Sequence, residues 1–225
     1  MSNVSPAASF KRRIADNGLT LALIALFAIS LLGHWVFGWR AAVEELQRHG
    51  QPMIGLLAYA GDPEFLSTVF ENWESEFLQM SVYVVLTAML IQRGSAESRA
   101  PDDPPRDTLP SDDVQAPRLA RAAGVAGWLY SHSLGLVLAA LFVASFILHW
   151  LFSARAAAQE ALLHGQPVTG AVAYLGDAQL WFESFQNWQS EFLSTAALVV
   201  FSIFLRHKNS PESKPVAAPD HQTGA

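Results

Sequence analysis

Apolar residues fill positions 19–39 almost without interruption, and they do so again at 134–152. Each run is followed, after a more polar interval, by another, at 73–91 and 188–205. A membrane span needs about 20 predominantly apolar residues at 1.5 Å rise each, so the pattern predicts four transmembrane helices. The later run of each pair is slightly short, but Asp62-Pro63-Glu64 stands before the first of them as a helix start. Asp caps, Pro fits the first helical position and Glu suits the positive end of the helix dipole. Phe65, Val69, Trp73 and Phe77 then recur every fourth residue, the spacing of one helical face. This helix is therefore expected to begin outside the membrane and run on through it. Lys11-Arg12-Arg13 before the first run raise the alternative of a signal peptide. The run is longer than the 7–15 residues of a signal core, and its mid-chain copy cannot act as one.

The pattern recurs because the sequence does. His34-Trp35 returns as His149-Trp150, an offset of 115 residues that also carries Arg40 onto Arg155 and Glu45 onto Glu160. The same offset maps His49-Gly50-Gln51-Pro52 onto His164-Gly165-Gln166-Pro167, and Asn72-Trp73 with Ser75-Glu76-Phe77-Leu78 onto Asn187-Trp188 with Ser190-Glu191-Phe192-Leu193. No gap is needed. The expected fold is all-α: a polytopic membrane protein whose four transmembrane helices form two tandem helical-hairpin repeats. The repeats occupy residues 14–99 and 129–214. A tail at 1–13, a linker at 100–128 and a tail at 215–225 complete the chain. The linker is rich in Pro, Asp, Ser and Arg and reads as disordered, and so does the tail after Pro211.

Charge orients the spans. Lys11, Arg12, Arg13, Arg93, Arg99, Arg106, Arg118, Arg121, Arg206, Lys208 and Lys214 fall on one side, and only Arg40, Arg48 and Arg155 on the other. By the positive-inside rule both termini and the linker are cytoplasmic. Trp35, Trp39, Trp73, Trp150 and Trp188 then mark the outer interface. An even number of spans per repeat gives both repeats the same orientation, related by an axis along the membrane normal.

Composition narrows the function classes. The chain is 51% hydrophobic and 15% charged, against about 25% charged in soluble domains, and the lipid bilayer is its expected partner. The net charge of −6 comes largely from Asp102, Asp103, Asp107, Asp112 and Asp113, a solvated acidic run. No clustered basic face is present, so nucleic acid is not an expected partner. There is no cysteine, which removes disulfides, thiolate chemistry and Cys-ligated metals. Arginine exceeds lysine and alanine abounds, as in GC-rich bacterial genomes, and the expected location is the bacterial inner membrane.

Ionisable residues near a span are costly and draw attention. On the second helix Asn72, Glu76, Gln79, Tyr83 and Thr87 share a face, matched by Asn187, Glu191, Ser194, Leu198 and Ser202. On the first helix Ser30 and His34 share a face, as do Ser145 and His149. At similar depth in an antiparallel hairpin, His34 is expected to meet Glu76 and His149 to meet Glu191, with Asn72 and Asn187 completing the clusters. Packing polar residues between helices accounts for the same pattern. His34, His49, Glu45 and Glu76 suit zinc chemically, but no HExxH or comparably tight spacing occurs, so no metal site is assigned. No catalytic residue and no cofactor motif is identified, and any small-molecule ligand stays unknown.

The run Phe70-Glu71-Asn72-Trp73-Glu74-Ser75-Glu76-Phe77-Leu78-Gln79-Met80, with Gln92-Arg93-Gly94-Ser95-Ala96-Glu97-Ser98 after the span and Asp16-Asn17-Gly18-Leu19 before the first, resembles an uncharacterised bacterial family of small multi-pass membrane proteins, a domain of unknown function. The resemblance implies no catalytic or binding residues. The second repeat has Gln186 for Glu71 and Gln189 for Glu74, which turns attention to Glu76 and Glu191 if the halves are equivalent. Three functional classes follow: a non-enzymatic structural or envelope-associated protein, a small transporter or ion- or proton-binding protein using Glu76 and Glu191, and a membrane enzyme acting on lipid or envelope material. Four helices can close as one bundle or pair with further copies as a homo-oligomer.

Overall fold

The computed structural model describes residues 14–103 and 116–224. The expected N-terminal tail, and Arg106, Asp107, Asp112 and Asp113 of the linker, lie outside them. Among the described residues there is no strand. The helices are α1 (Gly18–Arg48), α2 (Leu56–Tyr59), α3 (Pro63–Met89), α4 (Val125–Ser131), α5 (Ser133–Leu163), α6 (Ala171–Tyr174) and α7 (Ala178–Phe204). Every bound of α5, α6 and α7 lies 115 residues after the matching bound of α1, α2 and α3. The chain divides into two compact units, Met1–Leu66 and Ser67–Ala225, with α3 beginning in the first and continuing in the second.

In the first unit α1 ends where Gly50 takes φ +64°. This left-handed turn costs an ordinary residue about 1–2 kcal/mol, and it lets Gln51 N–H reach back to Leu46 O over 2.8 Å. The returning segment is pinned to α1 by two indole donors, Trp35 Nε1 to Leu56 O at 3.0 Å and Trp39 Nε1 to Ile54 O at 2.9 Å. Tyr59 is buried against Phe65, ring centroids 5.3 Å apart. Its hydroxyl lies where a side chain at Gly38 would stand. Burial, with Glu64 and Asp62 nearby, pushes that hydroxyl up to about 12. Asp62 Oδ1 accepts from Glu64 N–H at 3.0 Å and starts α3 at Pro63, as the sequence predicts.

In the second unit the same devices recur. Gly165 has φ +63° after α5, Trp150 Nε1 donates to Ala171 O at 2.8 Å, and Asp177 Oδ1 caps α7 from Gln179 N–H at 2.8 Å. A small apolar core of Ala154, Tyr174 and Leu180 joins α5, α6 and α7. Elsewhere the helices meet through small polar side chains. Ser67 Oγ bonds Ser153 Oγ at 2.5 Å between α3 and α5, and Gln79 Nε2 donates to Thr195 Oγ1 at 2.7 Å between α3 and α7.

The distribution of polarity is the reverse of a soluble domain. Ser67, Glu74, Ser75, Ser81, Ser145, His149, Ser153, Ser184 and Ser202 are buried, while Leu19, Leu23, Phe27, Ile29, Leu134, Val137, Phe185 and Phe201 are exposed. Small polar residues between helices and apolar residues outside suit lipid rather than water. Two helices, α1 and α5, are long and apolar enough to cross a membrane.

Candidate functional site

Three helices of the second unit each present a polar face inward. On α5 the buried Ser145, His149 and Ser153 recur every four residues, one above another on the helix. On α3 the inward line runs through Ser67, Glu71, Glu74 and Ser81. It lies one residue, about 100°, around the helix from the expected Asn72–Glu76 line. On α7, Glu183 and Asn187 stand one turn apart, a spacing that puts both on one face.

These faces converge on His149. The imidazole and the Glu74 carboxylate both have 0% exposed side chains, and His149 Nδ1 lies 2.7 Å from Glu74 Oε2. An ionised carboxylate only accepts, so Nδ1–H is the donor. Trp188 Nε1 donates to Glu74 Oε1 at 2.8 Å and satisfies the other oxygen. The opposite ring nitrogen, Nε2, faces Glu183 Oε2 at 3.4 Å. Glu183 Oε1 is held by Gln179 Nε2 at 2.8 Å, and Glu71 Oε1 by a short hydrogen bond from Asn187 Nδ2. Ligand-capable atoms of Glu71, His149 and Glu183 lie within 4.8 Å of one another. Nearby, Tyr174 is pushed up to about 12 by burial and by Glu183, Asp177 and Glu160.

The residues singled out in the sequence are distributed differently. His149 has Glu74 and Glu183, rather than Glu191, at its ring nitrogens. Asn187 reaches this group through Glu71. Asn72 is exposed and donates to Thr68 O at 2.8 Å in its own helix. Glu76 is exposed and Glu191 half-buried, close enough for their charges to interact. In the first unit the His34 ring lies 5.1 Å from that of Phe65. Glu71, Glu74 and Glu183 were not among the expected site residues. The signals for them are the three-residue spacing of the two glutamates on α3, and the four-residue spacing of Glu183 and Asn187.

A second polar region lies where α3 and α7 end. After α3, Gln92 N–H donates to Ser98 Oγ at 3.0 Å. After α7, His207 N–H donates to Ser213 Oγ at 2.9 Å. Ser95 Oγ and Ser202 Oγ join the turn after α3 to the end of α7 at 2.8 Å. Lys214, 1% exposed, directs its ammonium at the carbonyls of Gly94 (2.6 Å), Asp220 (2.9 Å), Ile203 (3.0 Å) and Gln222 (3.1 Å). A cavity of about 410 Å³ opens between α3 and α7, largely apolar but edged by Gln79, Tyr83, Thr195 and Glu97. Tyr83 donates to Glu97 Oε2 at 2.9 Å. Burial and the Glu212 carboxylate raise Glu97 above the usual carboxylate range, against the lowering effect of that hydrogen bond.

No curated protein and no solved structure matches the chain. A family model does match, over residues 10–225. With nearly its whole length covered, the chain belongs to the DUF6766 family, a domain of unknown function.

Proposed function

We propose that the chain is a four-span bacterial inner-membrane protein of two tandem two-helix repeats, with both termini cytoplasmic, which binds a cation at the buried His149–Glu71–Glu74–Glu183 centre. The common offset of 115 residues between the two sets of helices supports the repeat. The 27 residues each of α3 and α7 give roughly 40 Å of helix, more than the ~30 Å hydrocarbon core. That length supports two spans beyond α1 and α5, with the first turn of α3 and its Glu64 outside the core.

The observation that carries the function is the ring of His149. Its Nδ1–H is committed to Glu74, so in a neutral ring Nε2 is a bare lone pair directed at Glu183, with Glu71 close by. A lone pair and two carboxylates repel in a medium of low dielectric, and a positive charge between them resolves the conflict. Ionisable groups within a membrane bundle commonly mark ion or proton pathways. The structural reading draws on the Ser67–Ser153 and Ser95–Ser202 contacts, which join elements without any ion.

The two readings separate by 15N-histidine NMR of the protein in lipid nanodiscs. Cation binding requires His149 Nε2 to carry a proton or a metal at neutral pH. A neutral ring with a bare Nε2 would overturn it. The topology is checked in sealed right-side-out membrane vesicles, because the chain has no cysteine. Gln51→Cys and Gln166→Cys should react with an impermeant maleimide from outside, and Arg99→Cys and Lys208→Cys only after permeabilisation.

A further inference from the structure

We propose that His149 Nε2, Glu71 and Glu183 bind one divalent transition-metal ion, with Glu74, Asn187 and Gln179 as the outer residues that aim them. This deepens the cation reading above and rests on it. Each of the three candidate ligands has one atom already held. Nδ1 of His149 is fixed by Glu74, Oε1 of Glu183 by Gln179 and Oε1 of Glu71 by Asn187. That leaves Nε2 and Glu183 Oε2 facing one another, beside Glu71. Histidine ligands of metals almost always give their other N–H to a carboxylate or carbonyl, which fixes the tautomer and raises ligand basicity. Glu74 does this from a wholly buried position, itself steadied by the Trp188 indole.

The dimensions suit a metal. Bonds of 2.0–2.2 Å to nitrogen and carboxylate oxygen place tetrahedral ligands roughly 3.3 Å apart. Closing the separation of up to 4.8 Å asks for an approach of at most about 1.5 Å, made by two carboxylates that are only half-buried. One imidazole with two carboxylates suits zinc or manganese. An all-oxygen cage would suit calcium or magnesium, and thiolates or thioethers would select copper(I). Two negative ligands cancel the charge of a divalent ion, so the loaded ligand set is neutral. The site has no tight sequence motif because its ligands come from three helices.

The test is metal binding to stripped full-length protein in nanodiscs, by calorimetry with Zn²⁺ and with Mn²⁺ and by elemental analysis of the washed complex. One equivalent per chain is expected, lost in Glu183→Gln and Glu71→Gln, each of which keeps an amide in place of the carboxylate and is checked for folding by its thermal transition. Glu74→Gln, which touches no metal, should weaken binding about 10–100-fold. Glu45→Gln/His49→Gln, at an exposed pair on α1, should leave the stoichiometry unchanged. Folded wild type that binds neither ion, or binds it unaltered in Glu71→Gln and Glu183→Gln, overturns the metal site. If His149 Nε2 then proves protonated, cation binding stands with the proton as its cation; if Nε2 is bare, both readings fall.

Discussion

His149 and Glu74 stand 75 residues apart in the chain and 2.7 Å apart in space, with neither side chain reaching solvent. The contact joins α5 to α3, and Trp188 Nε1 adds α7 through the same carboxylate. One carboxyl group thus ties three helices, in a structure where few apolar side chains are buried.

Replacing Glu74 with leucine leaves the imidazole and the Trp188 N–H against hydrocarbon. Leaving two buried donors without an acceptor costs about 2–6 kcal/mol, at about 1–3 kcal/mol each. Glu74→Leu should therefore lower the unfolding free energy by about that amount, read from denaturation in mixed micelles. Glu74→Gln keeps a carbonyl oxygen in reach of the ring and should lose less. Equal losses for the two variants would show that shape rather than polarity matters at this position.

The four long helices and the start of α3 were legible in the sequence, because local chemistry specifies them, whereas the short α2, α4 and α6 were not. Asp62, Pro63 and Gly50 each act within a few residues of their place in the chain. The polar centre was not legible. Comparison of the two halves places Gln189 opposite Glu74 and Thr68 opposite Glu183. On the premise of equivalent halves, such replacements speak for dispensable residues. In the structure that premise fails here: Glu74 of α3 serves His149 of α5, and neither Gln189 nor His34 is part of the contact. An inward face also shifts by a full residue once helix packing, rather than polarity alone, selects it. The expected line through Asn72 and Glu76 missed for that reason.

Gly38 is held small by Tyr59. A Cβ at that position would stand 2.9 Å from Tyr59 Oη and 3.2 Å from Cε1, closer than atoms in a packed core tolerate. Gly38→Ala should cost about 1–3 kcal/mol, the usual range for overpacking. Tyr59→Phe removes the nearer atom, so the double variant should be more stable than the two separate losses predict. Thermal unfolding of the four proteins in one detergent measures the coupling, and strict additivity would place the strain elsewhere.

Glu97 gives the fold a dependence on pH. Its pKa in the folded chain lies above the ordinary carboxylate value, so the folded state holds that proton more tightly than the unfolded state. The associated stability is complete below about pH 4, the unfolded range, and is lost as pH rises through the folded value. Glu97→Gln keeps an acceptor for the Tyr83 hydroxyl without the titration. The Tm of the wild type should fall more than that of Glu97→Gln between about pH 5 and about pH 8. Parallel profiles would assign the pH dependence to other groups.

The carbonyl cage around Lys214 has a consequence for synthesis. Gly94 receives the Lys214 ammonium on its carbonyl, and Thr223 Oγ1 on its N–H, from 120 and 129 residues further along the chain. A ribosome adding about 5–20 residues per second reaches those partners on the order of ten seconds after making Gly94. Throughout that wait the N–H and carbonyl of Gly94 and the carbonyl of Ser95, later bonded by Gly224 N–H, need water, because hydrocarbon offers them nothing to bond. If α3 spans the membrane as proposed, the turn after it must then pause at the aqueous surface, and the boundary on that side is set before the later residues arrive to close over it.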